Sequence, residues 1–255
     1  MELAAIQLER VRAETPGPAR LLRLLETLDP PPGAITLLLA AGAAAAESCR
    51  PDDSPALRAT LQALLGKSGV AESGLALFWS HRLAYALRAP LPPPETCRLD
   101  GWETGWLLEL LGRPHLLGVF LLRRGGYTVG IFEGDLLVAS KSGTRFVKNR
   151  HRKGGQSQRR FDRIREKQVD ELFEKACLVA RERLAPFSGR IEALFLGGDR
   201  HTVQAFRPEC RFLQEFGDRL QARFLNTPEP RHETLKLACD MIWRSDWIEL
   251  RERSV

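Results

Sequence analysis

No stretch of the 255-residue chain reaches the roughly 18 unbroken apolar residues that a membrane-spanning helix requires. The opening residues Met1-Glu2-Leu3-Ala4 lack the basic-then-apolar pattern of a secretory leader, so a cytoplasmic protein without a membrane partner is expected. Cysteine is sparse. Cys49, Cys97, Cys177, Cys210 and Cys239 are scattered, odd in number and without a Cys-x-x-Cys pair. Neither a zinc ribbon nor a disulfide framework is indicated, a reducing compartment fits, and each thiol reads as a small buried residue. His81, His115, His201 and His232 stand apart from any Cys or acid at metal-ligand spacing, so no metal and no cofactor is expected. Nothing resembles a Ser-His-Asp or Cys-His signature, which argues against an ordinary hydrolase of small substrates.

What is present is an ordinary globular composition, 44% hydrophobic and 27% charged, long enough for one large domain or two small ones. Net charge is +6, and Arg far outnumbers Lys. Arginine suits bidentate phosphate contacts, but genomic codon bias produces the same excess, and overall composition does not separate the two.

Apolar positions in residues 1–28 suggest two helical pieces broken at Pro16-Gly17-Pro18. Ile35–Leu39 reads as a buried strand. Ser54–Gly66 reads as a helix with Ser54 as N-cap and Pro55 in its first turn. Gly74–Trp79 and Leu83–Leu87 read as a hairpin, followed by the stiff break Pro90-Leu91-Pro92-Pro93-Pro94. Residues 1–112 are therefore taken as a small α/β domain and 113–255 as a second domain. There, Leu116–Leu122, Tyr127–Ile131 and Leu136–Ala139 form an antiparallel meander with turns at Gly125-Gly126 and Gly134-Asp135. A polar, glycine-containing loop over 141–158 leads to a long helix from about Arg159 to Leu184. Its apolar face includes Phe161, Ile164, Val169, Leu172 and Phe173. A strand at Ile191–Leu196 ends in Gly197-Gly198, and two more helices and a short tail follow. The fold class is α/β (α+β), with helices covering a mixed sheet. Trp102 and Trp106, and Trp243 and Trp247, have helical spacing and read as core.

The segment from Arg145 to Gln168 stands out. It holds ten basic residues against Asp162 and Glu166, a local balance of +8 that leaves the rest of the chain slightly acidic. Charge this concentrated favours phosphate contact over codon bias. A solvated helix face is the plainer explanation, but the charge begins before the helix and runs through the glycines. Gly154-Gly155 has two readings: a turn that needs positive φ, or a loop that must pass close to RNA, where no side chain fits.

Gly154-Gly155-Gln156-Ser157, followed by Arg160-Phe161, Arg163-Ile164-Arg165 and Glu166, resembles the catalytic domain of class I peptide-chain release factors of the eukaryotic and archaeal type. The resemblance runs from about Leu116 to Gly198 and more loosely to Gly217-Asp218-Arg219-Leu220. It implies a ribonuclease-H-like domain whose loop acts on peptidyl-tRNA in the ribosomal peptidyl-transferase centre. The N-terminal part carries no Asn-Ile-Lys-Ser and no Tyr-x-Cys-x-x-x-Phe, the family's stop-codon motifs, and the domain that binds a partner GTPase is not seen. The chain is thus more similar to the release-factor-like peptidyl-tRNA hydrolases of ribosome quality control and their bacterial relatives, which act without reading a codon.

The resemblance implies that Gln156 positions a water, with Gly154 and Gly155 supplying backbone freedom and clearance. Gln158 stands two residues on as a second candidate amide. A glutamine amide is not basic near neutral pH, but it donates and accepts hydrogen bonds and so can orient a nucleophile. Arg145, Lys148, Arg150, Arg152, Lys153, Arg159, Arg160, Arg163 and Arg165 would hold large-subunit rRNA and the tRNA through phosphates. His151 reads as an RNA-contacting or solvated residue rather than a proton carrier, and Asp199, after a strand, as a turn cap. Two alternatives stay open: an endonuclease cutting the tRNA near its 3′ end, and a non-catalytic ribosome- or RNA-binding module.

Overall fold

The structure, a computed structural model, describes residues 8–144 and 156–252, without the side chains of Glu47 and of residues 156–162. The chain forms two units, Met1–Arg113 with Ile242–Val255, and Pro114–Met241.

In the first unit the elements are β1 (Leu8–Glu14), α1 (Pro18–Glu26), β2 (Ile35–Leu39), α2 (Ala45–Ser48), α3 (Pro55–Leu65), β3 (Leu75–Trp79), β4 (Leu83–Arg88), β5 (Cys97–Asp100) and α4 (Gly105–Gly112). Every residue of β2 and β3 is buried, because helices cover both faces of their sheet. Leu37, Leu77 and Ala86 face Leu57 and Leu61 of α3, while Leu38, Phe78 and Leu87 face Leu21 of α1 and Leu107 of α4. That two-sided burial is why these strands read as unbroken apolar runs rather than alternating ones. Helix α3 starts as expected: the Ser54 hydroxyl accepts the Leu57 N–H at 3.2 Å, and Pro55 occupies the first turn.

The second unit begins with the expected meander, β6 (Leu116–Arg123), β7 (Gly126–Glu133) and β8 (Leu136–Thr144). Next come α5 (Gln156–Leu184), β9 (Ala193–Gly198), α6 (Arg200–Glu209), α7 (Arg211–Gln214) and α8 (His232–Ile242). The sheet order is β8-β7-β6-β9, with β9 parallel to β6 and the other pairs antiparallel. Helix α5 buries Leu172, Phe173, Ala176, Val179, Ala180 and Leu184 in a core shared with Phe120, Val129 and Ile131. Each large side chain there contributes roughly 1.5–3 kcal/mol of apolar transfer. Leu235 of α8 covers Gly130 on the opposite face, so closely that a Cβ on that glycine would lie 2.8 Å from the leucine. Helices on both faces of a mixed sheet match the α/β expectation.

Several sequence expectations are corrected. Residues 8–14 are a strand, not a helix, because a distant partner, β10 (Asp246–Glu252), supplies its hydrogen bonds from Leu8↔Glu252 to Glu14↔Trp247. Strand β10 also pairs with β4, which completes the order β1-β10-β4-β3-β2-β5 and returns the tail to the first unit instead of leaving it in the domain 113–255. Trp247 accordingly sits on a strand and is 2% exposed, packed against Tyr85 with ring centroids 5.1 Å apart. The loop drawn over 141–158 is narrower, since β8 stays paired with β7 through Thr144↔Gly126 and α5 opens at Gln156. Cys177 and Cys210 form a disulfide with Cα atoms 5.4 Å apart, joining α5 to the α6–α7 junction, a pairing that their separation of 33 residues concealed. His115 is not isolated: its Nδ1 lies 2.8 Å from Glu192 Oε2. Among the described residues, no helix is long and apolar enough to cross a membrane.

Asp199 caps α6, accepting the Thr202 N–H at 2.8 Å and the Thr202 hydroxyl. Those two bonds hold its carboxyl below the ordinary value.

Two predictions follow from this packing. Trp247→Ala should destabilise the protein by about 3–5 kcal/mol in denaturant unfolding, and Trp247→Phe by clearly less; equal losses would contradict the packing account. Asp199→Ala should cost about 1 kcal/mol at pH 7. Because the folded carboxyl is the stronger acid, its contribution is present above the unfolded value of about 3.9 and disappears as pH falls through the lowered folded one. The gap between wild type and variant should therefore shrink in unfolding curves recorded below pH 4, and a constant gap would contradict the charged cap.

Candidate functional site

Helix α5 has two halves of different character. From Leu172 onward it is seated in the core. Before that it displays cations: Arg163 and Lys167 are exposed and Arg165 is half-buried. No acidic residue lies in its first turn. The positive end of the helix dipole and its unsatisfied N–H groups are thus left without a local counter-charge.

Gln156 is the first residue of this helix, and Gln158, Arg159 and Arg160 lie in its first two turns by backbone. The side chains of these four are outside the description. Gly154, Gly155, Arg145, Lys148, Arg150, Arg152, Lys153 and His151 lie outside the described residues, between Thr144 of β8 and Gln156. Of the expected cationic set, the structure places the side chains of Arg163 and Arg165.

The parallel pairing of β6 with β9 sets what surrounds that helix end. Leu122 pairs with Gly198, so the carboxyl ends of both strands finish at one edge of the sheet. Beyond them come Arg123-Arg124 on one side and Asp199-Arg200-His201 on the other. In open α/β sheets such an edge is the usual place for ligands. Gly198 adopts φ +104°, and a side chain there would strike the Leu122 carbonyl. The glycine lets the chain turn directly from strand into capped helix, with the Asp199 N–H donating to Leu122 O at 2.9 Å.

The cations at this edge are not equivalent. Arg123 is structural, donating to Thr227 O at 2.6 Å and Pro228 O at 3.1 Å. The Arg200 guanidinium lies 4.6 Å from the centre of the Phe224 ring. Arg124, in the β6–β7 turn, is exposed, as is His201 on the first turn of α6.

Arg124, Arg165 and His201 meet around a cleft of about 210 Å3 between α5 and α6. Val169, Phe173 and Ala205 form its apolar wall, and Glu166 and Asp170 of α5 stand on its rim. Arg124 and Asp170 are not among the residues expected from the sequence, whereas His201, though without a partner at metal-ligand spacing, follows with Asp199 a strand end, a place where α/β folds put ligands. The available signal was Arg123-Arg124 preceding a glycine pair at a strand end. Among the described residues no group of three or more His, Cys, Asp or Glu side chains is arranged to hold a metal ion.

Comparison with known proteins places the chain in a family. The chain is similar to peptide chain release factor subunit 1 of Archaeoglobus fulgidus, 34% identical over 100 residues, covering 39% of this chain and 25% of that protein. It is similar to the Aeropyrum pernix protein of the same name, 31% identical over 122 residues, covering 45% of this chain and 33% of the other. The match therefore spans only about a quarter to a third of these relatives' length. A crystal structure of an archaeal translation termination factor is similar with a TM-score of 0.40 at 18% identity, over 89% of this chain and 71% of that one. Residues 115–246, more than half of the chain, match the Actinobacteria/chloroflexi VLRF1 release factors, and the protein belongs to that family.

Proposed function

We propose that this chain is a codon-independent peptidyl-tRNA hydrolase that releases nascent chains from stalled ribosomes or large subunits in the cytoplasm. Gly154-Gly155-Gln156 would enter the peptidyl-transferase centre. The observation that carries the reading is the position of Gln156 as the first residue of α5, in a chain of the release factor family and within its most basic segment.

Hydrolysis of the ester requires a water aligned on the carbonyl carbon and a donor for the developing oxyanion. The Gln156 amide fits the first task, because it can accept from the water and donate to a neighbouring acceptor. Its main-chain N–H fits the second. At the first position of a helix that N–H has no intrahelical partner, and it lies at the positive end of the dipole. Gly154 and Gly155 provide close approach to the substrate. Rigid anchoring comes from the buried half of α5, which fixes the helix that carries Gln156.

Arg145, Lys148, Arg150, Arg152, Lys153, Arg159, Arg160, Arg163 and Arg165 would neutralise phosphates of large-subunit rRNA and the tRNA acceptor end, so binding should weaken steeply with salt. Stop-codon decoding has no support in the first unit, which carries neither of the motifs that serve it.

The test is peptide release from large subunits stalled with labelled peptidyl-tRNA. Gln156→Ala should lower the release rate by about 100-fold or more, the scale of losing one transition-state donor. Gln158→Ala should stay near wild type. A loss confined to Gln158→Ala would move the catalytic amide to that position, and unchanged release in both variants would sink the hydrolase reading.

A further inference from the structure

The cleft between α5 and α6 offers more than a phosphate contact. Its cations Arg124, Arg165 and His201 face the same space as two carboxylates, Glu166 and Asp170. Glu166 and Asp170 are four residues apart on one helix, hence on one face. Among the described residues, the side chains of Arg124, Arg165, Glu166 and Asp170 have no hydrogen-bond or ion-pair partner, although opposite charges line one cleft. Donors and acceptors thus converge there without satisfying one another.

A bare phosphate suits such a place poorly. Two carboxylates on the rim would repel it, and Asp199 already takes the Thr202 N–H, one of the first-turn groups of α6 that would otherwise attract an anion. The apolar wall of Val169, Phe173 and Ala205 calls for a flat, largely apolar body instead. The volume of about 210 Å3 is below the roughly 300–1,000 Å3 that encloses drug-sized ligands, which limits that body to a single ring system.

We infer that this cleft seats one unstacked nucleobase carrying an exocyclic amine, which means adenine, cytosine or guanine but not uracil, from single-stranded RNA. The ring packs on Val169 and Phe173 while its amine donates to Asp170 or Glu166. Arg124 and Arg165 take the flanking phosphates. Splayed bases read by stacking and edge hydrogen bonds are the general mode of single-stranded RNA recognition. The assignment rests on the RNA-contact reading above and adds a base preference to it.

Anisotropy titrations of end-labelled six-nucleotide RNAs of A, C or U with the 255-residue chain, at one fixed salt concentration, test it. The A and C oligomers should bind at least about ten-fold more tightly than U, the scale of one hydrogen bond to a charged acceptor. Replacing both acceptors, Glu166→Gln with Asp170→Asn, should bring A and C to the level of U, while thermal melting of this exposed pair of substitutions stays unchanged. Arg124→Ala should weaken all three oligomers alike. Equal wild-type affinities, or a preference that survives the double substitution, would overturn the base seat while leaving peptide release and its Gln156 dependence intact. Absence of binding to any of the three would overturn the base seat and the RNA contact beneath it.

Discussion

Strand β9 meets β6 in parallel, and the second unit's arrangement depends on that contact. Antiparallel pairing would send β9 out at the opposite edge, with α6 starting far from Arg124. Parallel pairing puts Arg124, Asp199 and His201 at one edge, beside the N-terminal part of α5. The contact is close. A Cβ on Gly118 of β6 would come within 2.8 Å of Leu194 on β9, and one on Gly197 within 2.8 Å of Leu121. Glycine at these positions is required by the approach of neighbouring side chains as much as by backbone conformation.

Charge and apolarity divide along a single helix. The half of α5 beyond Val169 is clamped by the sheet, by α6 and by the Cys177–Cys210 bond. The half before it carries an excess of positive charge that core packing does not need. Concentrated positive charge is self-repelling and soluble, and a polyanion relieves the repulsion. The cleft against α6 begins where the two halves meet.

Much of this was legible because it is local. The meander shows in alternation and glycine turns. Helix α5 shows in a long apolar stripe, and the basic segment shows as a charge run. Ser54 and Asp199 as caps need only the residues that follow them. What escaped depends on distant chain segments. Leu8–Glu14 has too short an apolar pattern to choose between helix and strand, and β10, more than 230 residues later, makes the choice. Lys141–Thr144 looked like loop because it is polar, yet β7 offers it a continuous ladder. Cys177 and Cys210, and His115 and Glu192, become pairs only when the sheet and helices assemble. Arg124 and Asp170 are unremarkable in one dimension and adjoin one cleft in three.

The proposed reaction breaks one bond, the ester between the nascent peptide and the terminal adenosine of the tRNA. The most direct measurement is product analysis: peptidyl-tRNA labelled at the tRNA 5′ end, bound to large subunits, incubated with the protein and resolved at single-nucleotide resolution. Ester hydrolysis predicts free peptide together with full-length tRNA that retains its terminal adenosine and can be charged again. A tRNA shortened at its 3′ end, or peptidyl-tRNA left unchanged, would contradict it.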